Sequence, residues 1–187
     1  IGEATHSSQP DLGRNAIVAA ARTVVAYADE HQRLQTLPPA NVGHGTLTST
    51  IIGGGSGNNV VPDRCTLFID RRVVDGEEPE IVINNLYRMA QQHGNLPVEL
   101  TRQLEIHAFH QPSNSAWIQQ LAEWSGSAPQ LAPYGTNAWA YRNLPCETVV
   151  IGPGSVDQAH GAREWVEVAE LEKIGQIYAN WWGIDIT

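Results

Sequence analysis

The sequence predicts an α/β chain of the α+β kind, built in two unlike parts. Three observations carry this. Helical and alternating patterns in the order β-α-β-β-α-β fill residues 1–107. Residues 108–187 then read as helix, helix, strand, helix. A polar stretch with a proline, Phe109 to Asn114, lies at the change.

In order, Ile1 to Ala4 reads as a strand stub, and Asn15 to Leu34 is the clearest helix. Ile17, Ala21, Val24 and Ala28 recur there at helical spacing, while Arg14, Arg22, Asp29 and Arg33 fall elsewhere. Pro38-Pro39 marks the loop that follows. Thr46 to Ile52 sets Leu47, Ser49 and Ile51 against threonines, a strand pattern. Arg64 to Val74 sets Cys65, Leu67 and Ile69 against Thr66, Phe68, Asp70 and Arg72, a second strand. Glu78-Pro79 opens a helix with Val82, Leu86 and Met89 on one face, proline being at home in a first turn. Val98, Leu100, Arg102 and Leu104 alternate as a last strand. This order is the split βαβ, ferredoxin-like sandwich, a complete small domain.

The second part predicts helices at Ser115 to Trp124, Asn137 to Asn143 and Val168 to Trp182. The last should turn Leu171, Ile174, Ile177 and Tyr178 inward. Between them, Thr148 to Ile151 reads as a buried strand. One strand cannot make a sheet, so this part needs partners. Trp117, Trp124, Trp139, Trp165 and the Trp181-Trp182 pair lie here, and apolar surface should be exposed if the rest of its layer is elsewhere.

A net charge of −9 argues against nucleic acid and anionic membrane surfaces. Lys173 is the only lysine, so basic work falls to arginine. No apolar run reaches the ~18 residues of a membrane span, and no signal peptide is visible. Cys65 and Cys146 lie far apart in apolar runs and read as buried free thiols, which favours the cytoplasm.

The most informative segment is Val150 to His160. An apolar run ends in the turn Gly152-Pro153-Gly154, and a polar loop then delivers one histidine, with Glu164 four residues on. In open α/β sheets ligands sit beyond the carboxyl ends of strands, where this histidine would lie. A lone loop histidine is also often only solvated.

Four motifs in order resemble the M20 family of zinc amidohydrolases. Gly2-Glu3-Ala4-Thr5-His6-Ser7-Ser8-Gln9-Pro10 with Gly13-Arg14-Asn15-Ala16-Ile17 is similar to the opening of that family's lid, or dimerisation, domain. Gly53 to Pro62, with Asn59-Val60-Val61-Pro62, Cys65 and Asp70-Arg71-Arg72, resembles the lid's later stretch. Tyr134-Gly135-Thr136-Asn137-Ala138 resembles its G-G-T-D-A substrate loop, with Tyr for the first Gly and Asn for Asp. Gly152-Pro153-Gly154, Ala159-His160 and Arg163-Glu164 resemble its late signature, with Arg163 at an acidic position. The wording looks closest to the acetylornithine deacetylase branch.

The resemblance implies a lid over residues 1–107 and the C-terminal part of a zinc-peptidase-type α/β catalytic domain over 108–187. It implies a deacylase of N-acyl amino acids, or a short-peptide hydrolase, with two zinc ions per site; cobalt or manganese are substitutes. His160 is implied as a metal ligand, with Glu164 as the partner that fixes its ring, or only a helix cap. His6 is implied as the catalytic oxyanion donor reaching across a homodimer, against the plainer reading of a helix-entry residue flanked by capping serines. Asn59, Arg72, Gly135 and Thr136 are implied as substrate-binding. Turn chemistry would equally explain Asn59, a surface salt bridge to Asp70 or Asp75 would explain Arg72, and capping would explain Thr136. The family's H-x-D motif has no counterpart here, so the chain reads as the carboxyl part of a longer enzyme, inactive alone. The rival readings are a non-catalytic dimerisation fragment or truncated paralogue, and an unrelated ferredoxin-like regulatory domain that binds small molecules.

Overall fold

The computed structural model describes residues 1–101, 104–132, 134–159 and 161–185. It divides into two compact units, Ile1–His110 and Gln111–Thr187.

The first unit is β1 (Thr5–His6), a 3-10 turn (Pro10–Leu12), α1 (Ala16–Thr36), β2 (Thr46–Gly54), β3 (Val60–Val61), β4 (Cys65–Arg72) and α2 (Pro79–Gly94). Asn15 caps α1, its side chain accepting from the Val18 N–H at 3.1 Å. Asn95 ends α2 in the left-handed conformation. The strands pair antiparallel as β1 with β3 and β2 with β4. Tyr27, Leu34, Leu47, Leu86 and Ala90 form the core, with Leu67, Ile69, Val82, Met89 and Val98 against them. The Tyr27 hydroxyl donates to the Leu86 carbonyl at 2.9 Å.

Four sequence expectations change here. The first strand lies at Thr5–His6, not at Ile1 to Ala4, where only Glu3 bridges to Arg14. Val98 to Leu100 and Leu104 are outside any ladder, and Arg102 and Gln103 lie outside the described residues. An irregularity between Ser49 and Ile51 moves Ile51 opposite Phe68, and both are exposed. Finally, the stripe Ile17, Ala21, Val24, Ala28 is the outer side of α1: Ile17, Ala21 and Ala28 are exposed and Val24 half-buried. The buried side is Ala16, Ala19, Thr23, Ala26, Tyr27 and Leu34.

The second unit holds α3 (Ala116–Ser125), 3-10 turns at Asn137–Tyr141 and Val156–Gln158, and α4 (Val168–Trp182). Thr148 to Ile151 belongs to no regular element, since a strand needs a ladder partner and the described residues of this unit offer none. α4 buries Ile177 and Ala179 and leaves Leu171 exposed. Cys146 is exposed rather than buried, and it and half-buried Cys65 are free thiols. Among the described residues no helix is long and apolar enough to cross a membrane.

Candidate functional site

His6 is fixed by both ends of its motif. β1 and β3 pair in the register Thr5↔Val61 and His6↔Val60, and the Ser7 N–H donates to the Asn59 carbonyl at 2.9 Å. The same segment receives the start of α1, because Ala16 N–H donates to Pro62 O at 2.8 Å. The chain crosses itself tightly here. A Cβ on Gly13 would lie 2.5 Å from Thr5 Cγ2 and 2.8 Å from Glu3 O, so only glycine fits beside the strand that carries His6. The structure thus brings His6 and Asn59, 53 positions apart, within one ladder step (59 − 6).

The geometry also chooses a tautomer. The Ser8 backbone N–H donates to His6 Nδ1 at 3.2 Å, and Ser8 Oγ lies 2.7 Å from the same nitrogen. A backbone N–H can only donate, so Nδ1 accepts and the neutral ring carries its proton on Nε2. His6 is exposed, which suits a ring that donates outward. Sequence reasoning named Ser8 only as a helix cap. The signal it passed over is the two-residue spacing from His6.

Arg72 sits at the other end of the lid. It closes β4 opposite Thr46, while Cys65 and Gly54 close the end near Asn59. Seven strand steps from Cys65 to Arg72 cover about 23 Å. Arg72 thus lies at the opposite end of β4 from the segment that leads to Asn59. Arg72 pairs with Asp70 at 2.8 Å on the open face of the sheet, with its side chain 57% exposed. Arg71, on the opposite face, is 9% exposed and pairs with Glu77 at 2.5 Å. It also donates to the Arg72 carbonyl, and Glu77 accepts from the Val74 N–H at 3.0 Å. The half-buried pair pins the backbone from which Arg72 projects.

Asp75 staples the neighbouring loop, accepting from Asn41 Nδ2 at 2.6 Å and from the Val42 N–H at 3.2 Å. Burial pushes its carboxyl up, but the Val42 and Asn41 donors outweigh this and hold it below the usual value.

In the second unit Thr136 caps the Asn137–Tyr141 turn, its hydroxyl accepting from the Ala138 N–H at 3.2 Å. The predicted helix here is thus one short 3-10 turn. Gly135 beside it is exposed. His160 lies outside the described residues; its neighbours Ala159 and Gly161 are in the loop that precedes α4. Among the described residues no group of three or more His, Cys, Asp or Glu is gathered as for a metal.

Residues 1–95 match the peptidase dimerisation domain of the M20 family, and the chain belongs to that family. It is 29% identical over 192 residues to an acetylornithine deacetylase of Myxococcus xanthus, covering 96% of this chain and 49% of that protein. It is 28% identical to an acetylornithine deacetylase of Proteus mirabilis, with 96% and 49% covered. The chain thus spans about half the length of the curated relatives it matches. Its fold resembles that of a tripeptidase from Staphylococcus aureus with a TM-score of 0.73 at 20% identity, over 95% of this chain and 47% of the other. An M20 family metallo-carboxypeptidase from Sulfolobus solfataricus gives 0.65 at 16% identity, over 94% and 53%. The family is one of hydrolases, named as peptidases and deacetylases. The α/β fold class read from the sequence agrees with this.

Proposed function

We propose that the chain is the lid and the C-terminal part of the catalytic domain of a zinc-dependent amidohydrolase that removes the acyl group from an N-acyl amino acid. The acetylornithine deacetylase relatives support this substrate class over a peptide. Zinc would be held by His160 together with ligands from the remaining half of the enzyme. The free thiols suit a reducing compartment, the cytoplasm.

The observation that carries the reading is the placement of His6. A ladder, a glycine crossing and a serine fix an exposed imidazole with its proton on the outward nitrogen. Such a donor suits an oxyanion, where one hydrogen bond typically contributes about 2.7–4 kcal/mol. His6 and Asn59 stand on the β1–β3 pair and Arg72 at the far end of β4, and two copies would bring both to one substrate. His6 and Asn59 then act in the partner's site, while Arg72 holds the substrate carboxylate in its own; Gly135 and Thr136 are the second unit's candidates for binding substrate.

The surface for the second copy is the outer side of α1. Ile17, Val18 and Val25 are exposed there with Ala21 and Ala28 between them, and Val25 is 61% exposed. A groove of about 500 Å³ beside it is edged by Arg22 and Asp29, opposite charges that a two-fold, antiparallel copy of α1 would pair.

The experiment uses the complete enzyme and Arg72→Ala. KM for an N-acyl amino acid with a free carboxylate should rise about tenfold or more, as expected when a charge-assisted bond is lost. KM for the matching methyl ester should barely change. Equal losses on both would contradict the role given to Arg72.

A further inference from the structure

We propose that Glu170 is a positioning residue: its carboxylate clamps the loop from Gly152 to Gly161 to the first turn of α4 and so holds both chain neighbours of His160. Glu170 is the third residue of α4. A glutamate at that place usually reaches back to cap its own helix start. Here it accepts instead from the Gly154 N–H, 16 residues earlier, at 2.5 Å. The helix start at Glu167 has no side-chain cap. Gly154 has φ +83°, and a Cβ there would lie 3.4 Å from Val166 Cγ2, so the bend that offers its N–H to Glu170 suits only glycine.

From Gly154 the order passes along the loop bond by bond. Ser155 Oγ accepts from the Asp157 N–H at 3.2 Å and caps the Val156–Gln158 turn. Gln158 N–H donates to Ser155 O at 3.0 Å and Ala159 N–H to Val156 O at 3.0 Å. Gly161 N–H then returns to Gln158 O at 3.3 Å. None of residues 152–159 is buried, so hydrogen bonds rather than packing give the loop its shape. Glu170 ties this run of turns to a long helix. The clamp rests on the proposed function only for what the loop delivers, the candidate ligand His160.

The test is hydrogen exchange of the 152–161 segment in this chain, compared among wild type, Glu170→Gln and Glu170→Ala. Losing an exposed hydrogen bond should speed exchange roughly 3- to 10-fold in Glu170→Ala. Glu170→Gln should fall between, because its amide oxygen still accepts from Gly154. Trypsin cleavage after Arg163 should accelerate in the same order, with the melting temperature of the chain unchanged. Equal exchange in all three proteins would overturn the clamp, and so would faster exchange spread over the whole of α4. Failure of the metal reading would show separately, as a complete enzyme that takes up no zinc, and would leave the exchange result to decide the clamp.

Discussion

The two units spend their apolar residues differently. The first buries one continuous cluster, from Tyr27 and Leu34 on α1 through Leu47 on β2 to Leu86 and Ala90 on α2. The second buries Ile118, Leu121, Ala138, Ile177 and Ala179 but leaves Val150, Trp165, Val168, Leu171 and Trp182 exposed. Its rings pack on one another, Trp117 tilted against Trp181 at 5.3 Å and Tyr178 stacked on Trp182 at 5.6 Å between centroids. Sheet and helices in the first unit already make two packed layers, which is what a domain core requires. The helices of the second, like α1, bury one apolar side and leave another exposed. The first unit thus holds a continuous core of its own.

That contrast predicts unequal mutational costs. Leu86→Ala should destabilise the first unit by about 2–5 kcal/mol in chemical denaturation, the usual cost of a cavity in a packed core. A smaller effect comes from Tyr27, buried with its phenol pushed up to about 12 by desolvation. The unfolded chain ionises near pH 10 and the native one only near 12. The stability from this group is therefore complete below pH 10 and is lost as pH rises to 12, on the order of 2–3 kcal/mol in all. Denaturation at pH 9 and pH 11.5 should show the fall, and Tyr27→Phe should flatten it. The smallest effect belongs to Leu171→Ala, within about 0.5 kcal/mol because the side chain is already in water. A large loss there would break the comparison, showing that the second unit is packed in its own right.

Local signals made the helices legible. Asn15 and Ser115 cap α1 and α3, and Pro79 opens α2. The inward side of α1 was not legible, because the helix carries two apolar sides. The side with Ile17 and Val24 faces out, while the buried one mixes Tyr27 and Leu34 with three alanines and Thr23, whose hydroxyl donates to the Ala19 carbonyl at 3.1 Å. The strand read at Thr148 to Ile151 has the composition of a strand but no neighbour among the described residues, and pairing is not a property of a segment alone. The site was legible as residue types. The adjacency of His6 to Asn59, and the separation of both from Arg72, depend on long-range register.

The central claim is that His6 completes the site of a partner copy. The direct measurement is activity of mixed dimers made by co-folding the complete enzyme's His6→Ala and His160→Ala variants. Each alone should be nearly inactive, His6→Ala by about 10²–10³-fold in kcat. A mixed dimer holds one site with both histidines intact, so the mixture should recover up to about a quarter of wild-type activity, one intact site in half of the dimers. Adding Val25→Asp to both variants should abolish the recovery by separating the copies. Mixed dimers that form, as shown by mass, but recover no activity would contradict the claim.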